Sequence, residues 1–189
     1  MSEELAKSII GTRRLILRPL RASDAAAIFA LFNDWNVMRW LSSPPWPYAY
    51  ADAENYVRAV LDGAADSEAV FAITLQDRLI GTIDLRRRPA SNLQSGAGLN
   101  VGYWLGTPYW RHGYMTEALR ALVNHLFALT GEDAIFCGAF AGNRASLRVQ
   151  EKAGFMPAGE TMLFSRPNGR ELAHVNTVLT RASLEFLAA

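Results

Sequence analysis

The chain has 189 residues, half of them hydrophobic and a fifth charged, with a formal net charge of +1. That balance describes a globular chain long enough for one substantial core, and it excludes a disordered sequence. It also lacks the excess of Lys and Arg that a nucleic-acid surface needs, or the acidic excess of a pocket built for polyamines.

A single cysteine, Cys137, excludes an internal disulfide. The three histidines, His112, His125 and His174, are not spaced as metal ligands with one another or with Cys137, so no metal is expected. No apolar run reaches the ~20 residues of a membrane span. The N-terminus, Met-Ser-Glu-Glu-Leu-Ala-Lys, is acidic and has no apolar centre, so no signal peptide or membrane attachment is expected and a cytoplasmic location is.

In chain order, residues 1–12 read as an N-terminal tail. Residues 13–20 alternate as a first strand, with Pro19 near its end. Ser23 and Asp24 are capping residues for a helix to about Asn33, with Ile28, Leu31 and Phe32 facing inward. The segment 34–50 holds three tryptophans, two tyrosines and three prolines. It is too stiff for a long regular element. Its aromatics either cap the core or wall a binding cleft. A second helix is expected from about Ala51 to Leu61. Residues 70–75 and 79–85 form a hairpin, and Arg86-Arg87-Arg88 reads as a solvated basic edge before a polar loop at 89–95.

Residues 99–105 form the next strand. The turn Gly106-Thr107-Pro108 follows, and then a helix from about Gly113 to Thr130, with Met115, Leu119, Leu122, Val123 and Leu126 on one face. A strand, a tight turn and a helix start in this order leave unpaired N–H groups at the helix tip. Such a tip favours an anion, a diphosphate in particular. Gly113 lets the backbone approach a ligand closely, and Arg111 adds a positive charge. Residues 135–140 lack polar alternation and read as a strand buried on both faces. Asn143-Arg-Ala-Ser-Leu-Arg-Val-Gln-Glu-Lys-Ala-Gly-Phe155 is a short helix with its own start and stop signals. Two further strands, about 156–165 and 171–180, flank the Asn168-Gly169 turn.

The run Val101-Gly102-Tyr103-Trp104, the loop Tyr109-Trp110…Gly113-Tyr114…Thr116-Glu117-Ala118 and the later Asn143…Ser146…Lys152…Gly154-Phe155 resemble the GNAT N-acetyltransferases. The branch containing the ribosomal-protein N-terminal acetyltransferases is the nearest in pattern. Three positions depart from it: Arg111 replaces a usual glycine, Met115 a small residue, and Asn100 a frequent acidic residue.

The resemblance implies one α/β domain over 1–189, with a mixed twisted sheet of about seven strands, splayed central strands and about four flanking helices. It implies acetyl-CoA as cosubstrate, bound by Tyr103, Trp104, Leu105, Arg111, His112, Gly113, Tyr114, Met115, Thr116, Asn143 and Ser146. Ser146 is the candidate proton donor to the leaving sulfur. Among candidate bases (Asp84, Glu117, Glu160, His174), Glu160 is preferred, and Asn100 is able only to hold a water. The implied reaction is direct attack of a primary amine, on a peptide N-terminus or a small molecule, within a ternary complex. The alternative is an acyl-CoA binding or sensing domain without catalysis, which the Asn100 and Arg111 departures motivate. A homodimer is permitted by the aromatic-rich surface but not required.

Overall fold

The computed structural model describes residues 2–88 and 98–188. The elements are α1 (Ser2–Ala6), β1 (Ile10–Gly11), β2 (Leu15–Pro19), α2 (Asp24–Phe32), α3 (Trp35–Met38), α4 (Tyr50–Leu61), β3 (Ala69–Leu75) and β4 (Arg78–Arg88). They continue with β5 (Gly98–Leu105), α5 (Tyr114–Leu129), β6 (Ala134–Phe140), α6 (Arg144–Lys152), β7 (Met156–Ser165), β8 (Arg170–Thr180) and α7 (Arg181–Ala188). The strands form one mixed sheet in the order β1-β2-β3-β4-β5-β6-β8-β7.

Alternation along the strands divides the core between the two faces. On β3, Ala69, Phe71 and Ile73 join the cluster around α5, while Val70 and Ala72 join the cluster beneath α2 and α4. A strand buried on both faces shows no polar alternation, and neither β3 nor β6 does. On α5, Leu119, Leu122, Val123 and Leu126 are fully buried. Each such side chain contributes roughly 1.5–3 kcal/mol relative to exposure.

The structure extends the expected architecture at three places. Residues 1–12 are not a plain tail: α1 buries Leu5, and β1 pairs antiparallel with β2 and buries Ile10. The aromatic segment carries the one-turn helix α3, whose N-terminus Asp34 caps through Oδ1. A last helix, α7, follows β8. The β3–β4 hairpin turns on two residues, Gln76 and Asp77, both at positive φ, which matches the strand twist. The expected loop at 89–95 lies outside the described residues.

Candidate active site

The central parallel pair, β5 and β6, is joined by α5 and makes only two register pairs, Leu99↔Ile135 and Asn100↔Phe136. Both strands run on, to Leu105 and Phe140, without meeting again. The backbone edges beyond this point therefore border a gap rather than a ladder. Cys137 sits at its apex, where the buried thiol donates to the Val101 carbonyl at 3.3 Å. The gap opens into a continuous cleft of about 1050 Å³ that passes from the tip of α5 to the floor under α2 and α4.

At one end the loop 106–113 delivers the tip of α5. The Trp110 indole N–H donates to the Leu105 carbonyl at 2.8 Å, folding the loop back on its strand. Arg111 and Gly113 both take left-handed backbone, with φ of 64° and 79°. Gly113 is the N-cap and, as a glycine, supplies no side-chain cap to the helix. The first-turn N–H groups have no acceptor inside the helix and face the cleft with Arg111 beside them.

The loop is held from behind by Arg14. Its Nη1 donates to the His112 carbonyl at 3.0 Å, its Nε to Glu117 Oε2 at 2.7 Å, and its guanidinium stacks on the Tyr114 ring. Glu117 also accepts from the Thr12 hydroxyl at 2.6 Å and from the Arg14 backbone N–H. Burial alone would raise its pKa, but these hydrogen bonds outweigh that and hold the carboxyl below its ordinary value. Arg144, Arg148 and Lys152 add positive charge along this end of the cleft.

Midway, a polar cluster crosses from β5 to α6. The Tyr103 phenol lies 2.9 Å from Ser146 Oγ and also donates to the Ser146 carbonyl. Gln150, fully buried one helical turn later, donates from Nε2 to both the Tyr103 and the Ser146 oxygens. Its Oε1 accepts from Thr177 at 2.8 Å, which fixes the amide's orientation. Burial, reinforced by the nearby Cys137, pushes the Tyr103 phenol well above its usual range and keeps it neutral.

At the far end, one face of the β4–β5 pair forms the floor. Thr82, Asp84 and Arg86 alternate along β4 and stand opposite Trp104, Gly102 and Asn100. Asp84 Oδ2 accepts from Arg86 Nε at 2.8 Å. A Cβ at position 102 would lie 2.8 Å from Asp84 Oδ1, so only glycine leaves room for the carboxylate there. The Tyr56 phenol bonds to Thr82, and burial together with Asp84 pushes it far up. Burial likewise pushes Tyr48 up to about 12. Phe32 packs against Trp104 and Tyr48. A strap over 39–45 roofs this end, pinned to the β7–β8 turn: the Ser165 hydroxyl donates to the Leu41 carbonyl, Arg166 N–H to the Ser42 carbonyl and Asn168 Nδ2 to the Arg39 carbonyl.

Most residues expected around acetyl-CoA border the cleft: Tyr103, Trp104 and Leu105 on β5, Arg111, Gly113, Tyr114, Met115 and Thr116 at the helix tip, and Asn143 and Ser146 at α6. Several are already engaged. The Leu105 carbonyl holds Trp110, the Met115 side chain belongs to the core, and Asn143 Oδ1 caps the Ser146 N–H at 3.2 Å. His112 is not among the lining residues; its ring stacks on Tyr114. Glu160 is exposed on β7 at the register position of Val175, also away from the lining. Of the other acidic or basic candidates, Asp84 and His174 border the cleft, and Glu117 is held by Thr12 and Arg14.

The aromatic segment serves both purposes open to it: Tyr48 is buried and Trp40 borders the cleft, while Trp35 and Trp46 pack on each other at the outer surface. The arginine run splits. Arg87 pairs with Glu132 and Glu68 on the outside, and Arg86 turns into the cleft. Sequence reading gave no role to Tyr56, Gln150 or Arg14 and took Arg86 for part of a solvated edge. Only Arg86 carried a usable signal, since it shares the period of two with Thr82 and Asp84.

Comparison with known proteins gives a consistent result. The family model described as "Acetyltransferase (GNAT) domain" matches residues 14–156. The chain is 28% identical over 171 residues to the uncharacterized N-acetyltransferase YoaA of Bacillus subtilis (strain 168), covering 85% of this chain and 90% of that one. Two solved structures share the fold. RimL, the ribosomal L7/L12 alpha-N-protein acetyltransferase solved with coenzyme A, aligns with a TM-score of 0.75 at 20% identity, over 92% of this chain and 98% of its own. The microcin C7 self-immunity acetyltransferase MccE, solved with acetyl-CoA and AMP, aligns at 0.76 and 15% identity, over 93% and 99%.

Proposed function

Because the chain belongs to the GNAT family and is an N-acetyltransferase using acetyl-CoA, we propose that its acceptor is a primary α-amine, on a peptide N-terminus or a small molecule. The observation that carries this reading is the β5–β6 pair, which stops after two register positions beside an uncapped helix tip and opens onto the Asp84 floor. RimL acts at an α-amine by its name, and MccE was solved with a nucleotide beside acetyl-CoA.

The residues fit the cosubstrate by their chemistry. The N–H groups at the tip of α5, with Arg111, suit a diphosphate. The unpaired strand edges suit an arm containing amides. Acetyl-CoA brings a thioester whose carbonyl an amine can attack. The remaining work belongs to the protein, and holding the two reactants in line is its largest share.

Ser146 is placed to assist the sulfur. Its hydroxyl oxygen accepts from Gln150 Nε2 and meets the Tyr103 phenol, whose single proton serves either the Ser146 carbonyl or Oγ; in the second arrangement the Ser146 hydrogen is free to turn into the cleft. Asp84 holds the incoming ammonium, and Asn100 on the neighbouring strand holds the water that carries its proton away. A carboxylate is a weak base. It suffices for an α-amine, whose ordinary pKa is near 7.7–8.0, and falls short for a lysine near 10.4.

Thiol release from acetyl-CoA, measured with a peptide bearing a free N-terminus and with the same peptide Nα-blocked but carrying a lysine, tests the proposal. Release is expected with the first only. Equal or greater release with the blocked peptide would overturn the α-amine assignment.

A further inference from the structure

The floor of the acceptor end carries a cation that acetyl transfer itself does not require. Arg86 presents its guanidinium to the cleft from β4, with its side chain one third exposed (33%). Only Nε is engaged, by Asp84. Among the described residues, neither Nη1 nor Nη2 meets an acceptor, although both belong to a fork suited to two parallel hydrogen bonds. The other charges of this end add to the imbalance. Arg39 and Arg166 line it with Arg86, against Asp52 and Asp84. Asp52 is already spent on the Ala49 N–H that caps α4. Asp84 meets Arg86 through Oδ2 and keeps Oδ1, on the Gly102 side, for the ammonium.

Resting on the acetyl-transfer reading above, we propose that Arg86 anchors a carboxylate on the acceptor, so that the substrate is an amine carrying an acidic group a few bonds from the reacting nitrogen. Asp84 and Arg86 are adjacent on one face and opposite in sign. A molecule with an ammonium and a carboxylate on the same short frame complements both at once. Tyr56, held neutral and bonded to Thr82, offers a phenol beside them. The aromatic walls formed by Phe32, Tyr48 and Trp104 exclude water and strengthen the contact. The pinned strap over 39–45 limits what fits to a small molecule or the first residues of an extended chain. A free amino acid and a peptide with an acidic residue at its N-terminus share this chemistry.

The test is thiol release from acetyl-CoA with matched acceptor pairs that differ only as carboxylate and carboxamide. One arm uses free amino acids against their amides. The other uses peptides beginning with Asp or Glu against Asn or Gln. At least one arm should favour the carboxylate roughly ten- to hundredfold in kcat/KM, chiefly through KM, as expected for a lost charge-assisted contact. The arm that shows the preference identifies the source. In Arg86→Gln the ratio within that pair should collapse toward one, and Arg86→Lys should restore part of it. The acetyl-CoA-dependent rise in melting temperature reports that each variant is folded. Equal rates within every pair in the wild-type protein would overturn the anchor while leaving acetyl transfer standing, as would a preference that survives in Arg86→Gln. Absence of thiol release with every amine, despite stabilisation by acetyl-CoA, would overturn both readings.

Discussion

The two ends of the cleft are built in different ways. The cosubstrate end is mostly local: a strand edge, the loop 106–113 and the first turns of α5 and α6 supply its surface, largely as backbone. The acceptor end is assembled from side chains that are distant in sequence. Phe32, Tyr48 and Tyr56 come from the helical layer, Thr82, Asp84 and Arg86 from β4, and the roof is tied to the β7–β8 turn. Backbone donors bind any ligand of the right charge and shape, whereas a constellation of side chains selects one. A shared fold can keep the first end while the second changes its substrate. If this division is real, changes at the two ends should separate in their effects: acceptor-end variants should alter kcat/KM and leave acetyl-CoA binding alone, and cosubstrate-end variants should do the reverse.

The sharpest separation is expected at Asp84. Asp84→Asn keeps the size of the side chain and removes the charge that holds the ammonium. Its kcat/KM for the amine should fall on the order of 10²–10⁴-fold. The stabilisation given by acetyl-CoA in a thermal melt should stay at its wild-type value. Activity within threefold of wild type would remove Asp84 from the reaction and leave His174 as the remaining lining candidate.

Ser146 lies where the two ends meet, so its effect should fall between them. Ser146→Ala should lower kcat and kcat/KM together by roughly ten- to hundredfold, because the bond to sulfur is made as the thiolate leaves. Gln150→Leu provides the control for a purely structural cluster. It strands the buried Thr177 hydroxyl and should cost about 1–3 kcal/mol of stability by chemical denaturation. If Ser146→Ala affected stability alone, the hydroxyl would belong to the scaffold and not to the chemistry.

The same division explains what could be read from the sequence. Gly113 before an amphipathic helix, Asn143 before a short one, and an uninterrupted apolar strand at 135–140 are local patterns, and each maps onto the element it predicts. Arg14 and Glu117 are 103 positions apart, and nothing near either one announces the pair. Glu160 sits on an expected strand, but strand alternation alone does not say which face meets the cleft. The bulge between Pro157 and Glu160 shifts the register at that point. Arg86 looked like its neighbour Arg87 until the register set them on opposite faces. Gln150 lies inside a motif whose other members carry the pattern. Its importance comes from Thr177 on another strand.

Behind the cosubstrate end, Glu117 offers a pH test. Its carboxyl is held below the ordinary value by Thr12 and Arg14, so the ionised form is favoured in the folded state. The resulting stability is present above the unfolded value of about 4.5 and is lost as pH falls through the lower folded value. Glu117→Gln should therefore be less stable than wild type by about 1–2 kcal/mol at pH 7. The gap should narrow as pH drops below that window. A gap independent of pH would mean that the amide loses only shape and packing. Acetyl-CoA affinity should weaken as well, since Arg14 would no longer be fixed behind His112.

The smallest effect, and the one that best separates backbone from charge, is at Arg111. Its φ of 64° places an L-residue in the left-handed region, which costs roughly 1–2 kcal/mol. Glycine would relieve that strain but would gain freedom in the unfolded chain, returning about 0.5–1 kcal/mol of it. Arg111→Gly should thus raise the melting temperature by about 1–3 °C. It also removes a cation from the helix tip, and acetyl-CoA should bind a few times more weakly, in a salt-dependent manner. Arg111→Ala loses the same charge without relieving the strain, so it should show the weaker binding and no gain in stability. If the two variants melted at the same temperature, the left-handed turn would not be strained at this position. If neither weakened acetyl-CoA, the tip would hold its anion through backbone N–H groups alone.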